Sequence, residues 1–501
     1  MLRNEKVFQA VSDPLNTPHS APASDFLEVH GRLPVIAFFL GMAVIAAAIF
    51  LGRSYAFFIA FPIFALLMTL LWGKTPWPWI LLVSVSAATP IAVSRYQFAC
   101  NLIFAIWFIV FNTRYLFRLP RWLYVPAALA VLGIFISSVN WMSGDVLRDV
   151  MRQVTHGFNL FLAPFLLLPV VYMRLKESRD SAANLRGLLF CLILPSTLIL
   201  ISAKLFGTVS NEWEASLHAD SLSQGFLHYQ IGRVFVKFLR TEVGFILASL
   251  ICASTAVTFS QVRGQYRLVA GTCLAANVFL LLATGSFGSI VAALCGLATI
   301  FYIQFRTASV AKVLASIAAV CCLVFMTYIL SPPGVRDYLG KRYEHRVVEA
   351  DKDRLVLWSR AVDQLLAHPE GIGLTFVVGD EVDDVKTFTH NDYLTYAVSY
   401  GFIGGLAYLY LVVKLLISFF RLGTGEIGNP YMLAVRLAGL GVLVAVAVNS
   451  MTDHMNSNRW YFNVMWSLIW FSYFSTCNEE TVTASDGTSR DAVVSETSEK
   501  P

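Results

Sequence analysis

The sequence predicts an all-α, polytopic integral membrane protein with about 12–14 transmembrane helices and one large hydrophilic loop late in the chain. Composition is the first reason: of 501 residues, 57% are hydrophobic and 14% charged, and the mean hydropathy is +0.64. Soluble domains carry roughly a quarter charged residues, so a chain this apolar has to keep most of its side chains in lipid. The second reason is the recurrence of apolar runs near the length that crosses the hydrocarbon, about 17 to 25 residues. The third is the one-sided distribution of Lys and Arg between successive runs. The aromatic residues, including 11 Trp and 19 Tyr, often flank apolar runs, as an interfacial belt requires. A net charge of +5 carries information only through its placement, and no nucleic-acid partner is expected.

Residues 1–32 form an N-terminal arm rich in Pro, Ser, Ala and Asn, without apolar periodicity. About 30 polar residues ahead of the first apolar run are long for a cleaved leader, so that run reads as a retained signal-anchor. Apolar spans follow at 33–52, 55–72, 77–94, 96–112, 122–139, 158–175, 187–203, 241–260, 268–284, 286–304, 313–330, 394–420, 433–450 and 460–475. Residues 33–330 thus hold the first eleven helices, 394–475 the last ones, and 476–501 a Ser/Thr/Glu-rich tail. The eight cysteines lie in apolar segments or the tail and read as packing residues rather than a disulfide framework.

Orientation follows from the connections. With the N-terminus inside, inner connections hold Lys74, Arg114, Arg118, Arg121, Arg174, Lys176, Arg179, Arg186, Arg263, Arg267, Arg306, Lys312, Arg421 and Arg436. The short outer ones hold mainly Arg53, Arg95, Arg148, Arg152 and Arg459. Both termini are therefore expected in the cytoplasm. Two outer segments, 204–240 and 331–393, are too long to be mere connectors. Chemistry on a polar substrate is expected on that outer face.

Within 331–393, Pro332-Pro333 ends a helix and a basic cluster follows: Arg336, Lys341, Arg342, His345 and Arg346. Residues 354–367 place Leu355, Trp358, Val362 and Leu365 at helical spacing, which predicts an amphipathic helix on the membrane-embedded body or at its interface. Asp380, Glu381, Asp383 and Asp384 match no metal loop and read as a solvated acidic turn. No metal site and no cofactor is expected. His390, with Asn391 and Asp392, stands where this polar segment runs back into an apolar one. Thr387 or Thr389 is expected to cap the helix that follows. A histidine beside a helix N-terminus is held toward its neutral form, the form a general base needs. Taken alone, the residue reads first as an interfacial histidine that only hydrogen-bonds a loop. Gly401, Gly404 and Gly405 read as ordinary close packing between membrane helices.

The ordered set Arg354-x-x-x-Trp358, His368-Pro369-x-Gly371-x-Gly373, Thr389-His390-Asn391-x-Tyr393-Leu394 and Gly401-x-x-Gly404 resembles the signature of the O-antigen ligase and polymerase superfamily. The resemblance implies a bacterial inner-membrane enzyme with a large periplasmic loop. It implies metal-independent glycan transfer from an undecaprenyl-diphosphate-linked donor, with His390 as the base that activates the acceptor hydroxyl. Family members also hold the donor diphosphate with arginines, whose guanidinium fork suits phosphate. Arg233 and Arg240 lie in a segment resembling the family's outer-loop arginine segment, and Arg354 is a third candidate. A second family arginine sits in a Thr-Gly-Ser-Arg-Gly-like turn. This chain reads Thr284-Gly285-Ser286-Phe287-Gly288, so Phe287 stands where that arginine would be.

The last outer loop brings Asp453, His454 and Arg459, which with Asn391 and Asp392 are candidates to line the acceptor and sugar site. The implied partners are the lipid-linked donor, a glycan or lipid A-core acceptor, membrane lipids, and a chain-length regulator or export partner. The motif set is shared by ligases and polymerases; Phe287 tilts the reading toward a polymerase of O-antigen or exopolysaccharide. A lipid-linked sugar transporter is the rival from another class. It would need charged groups at mid-bilayer depth, and the spans hold few.

Overall fold

In a computed structural model, the chain is described at residues 115–139, 165–166, 168–177, 180–206, 228–231, 234–237, 240–284, 286–307, 329, 350–372, 378–379, 386–387, 391–423, 429–452 and 461–476. The expected spans between 33 and 112, the span 313–330 apart from Ile329, the N-terminal arm and the C-terminal tail beyond Thr476 lie outside them.

The described chain is helical with two small hairpins. Helix α1 is Arg121–Val139 and α2 is Leu168–Met173, the latter followed by a 3-10 turn at Arg174–Glu177. Helix α3, Ser181–Gly187, runs through a π-helical stretch, Leu188–Ile193, into α4, Leu194–Phe206. Pro195 explains the widening: it has no N–H to offer the carbonyl four residues back, and Leu194 N–H reaches Leu189 C=O instead. Asp180 caps α3, accepting from Ala182 and Ala183 N–H at 2.9 and 3.1 Å. Helices α5 (Arg240–Thr258), α6 (Gly264–Thr284) and α7 (Phe287–Thr307) follow, then α8 (Ala350–Ala367). The last three are α9 (Asp392–Gly423), α10 (Pro430–Thr452) and α11 (Tyr461–Thr476). Asn429 caps α10, accepting from Tyr431 N–H at 3.0 Å, and Pro430 takes the first helical position, where a missing N–H costs nothing.

Five of these helical stretches are long and apolar enough to cross a membrane: Ser181–Leu198, Gly264–Thr284, Phe287–Gln304, Asp392–Phe420 and Pro430–Thr452. The chain is a multi-pass membrane protein. Helix α10 is the hub, packed against α5, α7, α9 and α11. Both α5 and α10 are apolar on nearly every face, and both are buried almost throughout, as a helix at the centre of a bundle must be. A Cβ on Gly441 of α10 would lie 2.5 Å from Ile300 Cδ1, so glycine sets how near α7 comes. Lipid-facing positions are large and apolar, among them Phe135 on α1, Leu294 and Tyr302 on α7, and Leu406 and Leu409 on α9.

The two ends of the bundle differ. At one end Asn429 Nδ2 donates to Ser181 Oγ at 2.7 Å, Tyr266 meets Tyr431 edge-on, and Trp122 Nε1 donates to Tyr473 Oη at 3.3 Å. The helix ends gathered there carry Arg121, Arg186, Arg267 and Arg421. Arg436 departs from the expected inner loop: α10 begins at Pro430, so Arg436 lies inside the helix and is buried. Trp466 and Trp470 depart from the interfacial belt, being fully enclosed in an aromatic stack along α11. The opposite end collects the turn between α6 and α7, the start of α9 and the outgoing end of α10.

Candidate active site

The segment before α9 ends on a cap that the sequence reading misassigned. The structure shows Asn391, not Thr387 or Thr389, as the cap: Leu394 N–H donates to Asn391 Oδ1 at 3.1 Å, and Thr395 N–H reaches Asn391 C=O at 2.8 Å. Thr387 instead belongs to the short strand β4 (Lys386–Thr387), paired antiparallel with β3 (Val378–Gly379). A short amide side chain placed before an apolar run competes well for this position, because its oxygen reaches the N–H groups of the first turn. Asp392 follows as the first helical residue and is fully buried, a carboxylate at the positive end of the helix dipole.

The same residues tie α9 to the end of α10. Asn391 Nδ2 donates to Met451 C=O at 3.4 Å, Tyr393 Oη donates to Ala447 C=O at 3.3 Å, and Tyr408 Oη lies 2.8 Å from Ser450 Oγ. Tyr396 and Tyr408 stack with ring centroids 4.4 Å apart, and Tyr393 leans on Tyr408 at 5.3 Å. These rings span α9 internally and fix its first two turns against α10. The chain leaving α10 at Thr452 continues directly into Asp453 and His454.

The turn between α6 and α7 reaches the same end. Ser286 Oγ lies 2.8 Å from Ser289 Oγ, Ser286 N–H donates to Thr284 Oγ1 at 3.3 Å, and Ile290 N–H to Ser286 C=O at 3.1 Å. The hydroxyls of this turn are thus spent on its own backbone and first helical turn. Gly288 faces α10 so closely that a Cβ there would lie 2.7 Å from Thr452 Oγ1. Phe287, the residue in the place of the family arginine, opens α7 and is 47% exposed.

Helix α8 docks on α9 by a face that shares Leu365 with the expected stripe but is rotated from it. Leu357, Ala361 and Leu365 meet Leu394, Ala397 and Val398, whereas Leu355 and Val362 are exposed. The helix carries two apolar stripes, and the bundle takes the one with small Ala361 at its middle, which lets the backbones approach. After α8, His368–Ile372 turns back into α9 at a break. Tyr400 (φ −120°, ψ 15°) and Gly401 (φ 73°, ψ −179°) are not helical and divide α9 into two. Ile372 N–H donates to Val398 C=O at 2.9 Å and Phe402 N–H to Pro369 C=O at 3.1 Å, so the turn satisfies groups that the break releases. Gly401, read from sequence as ordinary packing, is a conformational position.

Of the sequence-derived site residues, Asn391 and Asp392 are brought to the end of α10. Arg240 is the first residue of α5 and Arg354 the fifth of α8. His390, Arg233, Asp453, His454 and Arg459 lie outside the described residues, as do the acidic positions 380–385. Strands β1 (His228–Ile231) and β2 (Val234–Lys237) pair antiparallel, Ile231 with Val234 and His228 with Lys237. The expected outer loop 204–240 thus contains strands, and two β-forming runs separated by Gly-Arg are the sign of a hairpin in the sequence. Among the described residues, no group of three or more His, Cys, Asp or Glu side chains is arranged to hold a metal ion.

A polytopic helical membrane protein whose loop helix folds back onto a capped, broken helix is the class this geometry defines. Residues 272–409 match the family model described as O-Antigen ligase, which supports the O-antigen ligase and polymerase superfamily. The match runs from α6 through the 284–288 turn, α8 and the break to the second half of α9. No curated protein matches the chain.

Proposed function

We propose that the protein is a membrane glycosyltransferase that polymerises undecaprenyl-diphosphate-linked glycan, an O-antigen or exopolysaccharide, on the periplasmic face of the bacterial inner membrane. One observation carries the reading. Within the segment matched to the O-antigen ligase family, the helix that begins beside His390 is tied through Tyr393, Tyr408 and Asn391 to the end of α10, whose next residues are Asp453 and His454. The basic helix ends lie at the opposite end of the bundle, which supports a cytoplasmic assignment for that end and a periplasmic one for the site.

In this mechanism His390 accepts the proton of an acceptor sugar hydroxyl while its oxygen attacks the donor's anomeric carbon. The bond from that carbon to the diphosphate oxygen breaks, and the diphosphate leaves with both electrons, stabilised by guanidinium groups from Arg233, Arg240 and Arg354. Single displacement inverts the anomeric carbon. No metal or cofactor takes part. Asn391 holds the segment carrying His390 against α10 and faces the acceptor; buried Asp392 steadies the helix start. Asp453, His454 and Arg459 line the sugar site. A chain-length regulator or export partner acts beside it.

Ligation of glycan to lipid A-core is the second reading within the same chemistry, and Phe287 favours polymerisation because it removes one diphosphate ligand. Deletion of the gene with gel analysis of surface polysaccharide separates them. Single-repeat chains are the expected result; full-length chains left on the lipid carrier mean ligation instead. Transport of lipid-linked sugar is favoured by one observation, the buried charge of Arg436 within α10. It lies 15 residues from Met451, about 22 Å along the helix at 1.5 Å per residue. Uptake into proteoliposomes without glycosidic bond formation would establish it.

A further inference from the structure

Three backbones meet at the break in α9. Gly371, at φ 91°, faces it from the turn after α8: a Cβ there would lie 2.8 Å from Ser399 C=O. Gly401, at φ 73°, faces back: a Cβ there would lie 2.7 Å from the Glu370 carbonyl. From the other side, Gly133 of α1 faces the break: a Cβ there would lie 3.0 Å from Tyr400 C=O and 3.3 Å from Gly404 N. Two reciprocal hydrogen bonds close the contact, Ile372 to Val398 and Phe402 to Pro369. The arrangement resembles one rung of a sheet inserted into a helix.

The consequence lies in what the break separates. Asp392–Ser399 becomes a two-turn helix whose direction is not dictated by the membrane-crossing part, Phe402–Gly423. Its direction is dictated by the turn, and the turn is the end of α8. The joint therefore links three things: the loop helix bearing Arg354, the short helix beginning beside His390, and the membrane span.

We propose that Gly371 and Gly401 are positioning residues, forming a backbone joint that sets the short helix Asp392–Ser399, and with it the His390–Asn391 segment, against α8. This rests on the reading of that segment as the reaction centre. A side chain at either glycine meets backbone rather than a movable side-chain end, and both φ values lie where L-residues are strained. Relief requires the turn to leave the break. The short helix then tilts or continues into the span, and the groups at its start move by ångströms.

The test uses the full-length protein in nanodiscs. Spin labels go on Leu366→Cys of α8 and Leu406→Cys of α9, both exposed and outside the site. Gly401→Ala and Gly371→Ala are compared with Gly264→Ala, whose Cβ would meet nothing within 4 Å. The joint predicts a narrow label–label distance in the parent and in Gly264→Ala, and a shifted or broadened one in the two joint variants. It also predicts a fall in kcat of about 100-fold with the donor KM within about twofold, since misplacing a catalytic group acts on turnover. Size-exclusion profiles check that each variant is folded. If one joint variant fails to fold, the other carries the comparison, since Gly401 at ψ −179° lies in a region only glycine adopts readily and no other side chain is milder there. An unchanged distance in folded joint variants overturns the proposal. So does a changed distance with kcat intact. Absence of glycan transfer by the parent refutes the proposed function instead, and the label distances still decide whether the joint exists.

Discussion

Replacing Asn391 with alanine separates the cap from everything else near the site. The side-chain oxygen accepts from Leu394 N–H at 3.1 Å, and its loss removes a cap worth about 1 kcal/mol. The amide also donates to Met451 C=O, but at 3.4 Å from a partly exposed position, where water replaces it at little cost. The expected destabilisation of the helix start is therefore about 1 kcal/mol, or roughly a fivefold rise in local opening. Hydrogen exchange of peptides covering 392–399, followed in nanodiscs by mass spectrometry, reads this directly. Asn391→Asp keeps an accepting oxygen and adds a negative charge at the positive end of the dipole, so its exchange stays near the parent's. Exchange in Asn391→Ala indistinguishable from the parent, or in Asn391→Asp as fast as in the alanine variant, would refute the capping account.

Two further outcomes follow from packing. Tyr408→Phe and Ser450→Ala each leave a buried hydroxyl partner unmet, at about 1–3 kcal/mol, while the double variant costs less than their sum; additive losses in chemical unfolding would contradict the pairing. Leu365→Ala, at the buried face of α8, loosens the helix by about 2 kcal/mol or more, whereas Leu355→Ala, 62% exposed, changes it little; proteolysis of α8 at graded protease levels compares the two.

The bundle was legible because its signals are long and redundant. Apolar runs such as 268–284 and 433–450 coincide with α6 and α10 to within a few residues, since length alone decides whether a segment crosses lipid. Arg436 falls inside the run 433–450, and positive-inside counting assigns its charge to the inner connection, whereas a bundle centred on α10 encloses it. The choice between the two stripes of α8 rests on Ala361 fitting Ala397, a matter of shape between segments distant in sequence. The β1–β2 hairpin was missed because four-residue strands are too short for alternation to stand out.

At the site, the motif block was legible as an ordered list but its physical meaning was not. In sequence His368-Pro369-x-Gly371 is one block of the motif and Gly401 a packing position. They are two halves of one contact, and only the backbone conformation at Tyr400–Gly401 shows it. The helix start was likewise located within two residues, but its cap was given to threonine where asparagine takes it.

The central claim is that His390 is the general base of a glycan transfer. The most direct measurement is glycan product formed by purified His390→Ala, at matched folded protein, from a lipid-diphosphate-linked donor and acceptor, with product length read on gels. The account predicts that transfer falls by about 100-fold or more while donor binding persists. Glycan yield and chain length equal to those of the parent would contradict it.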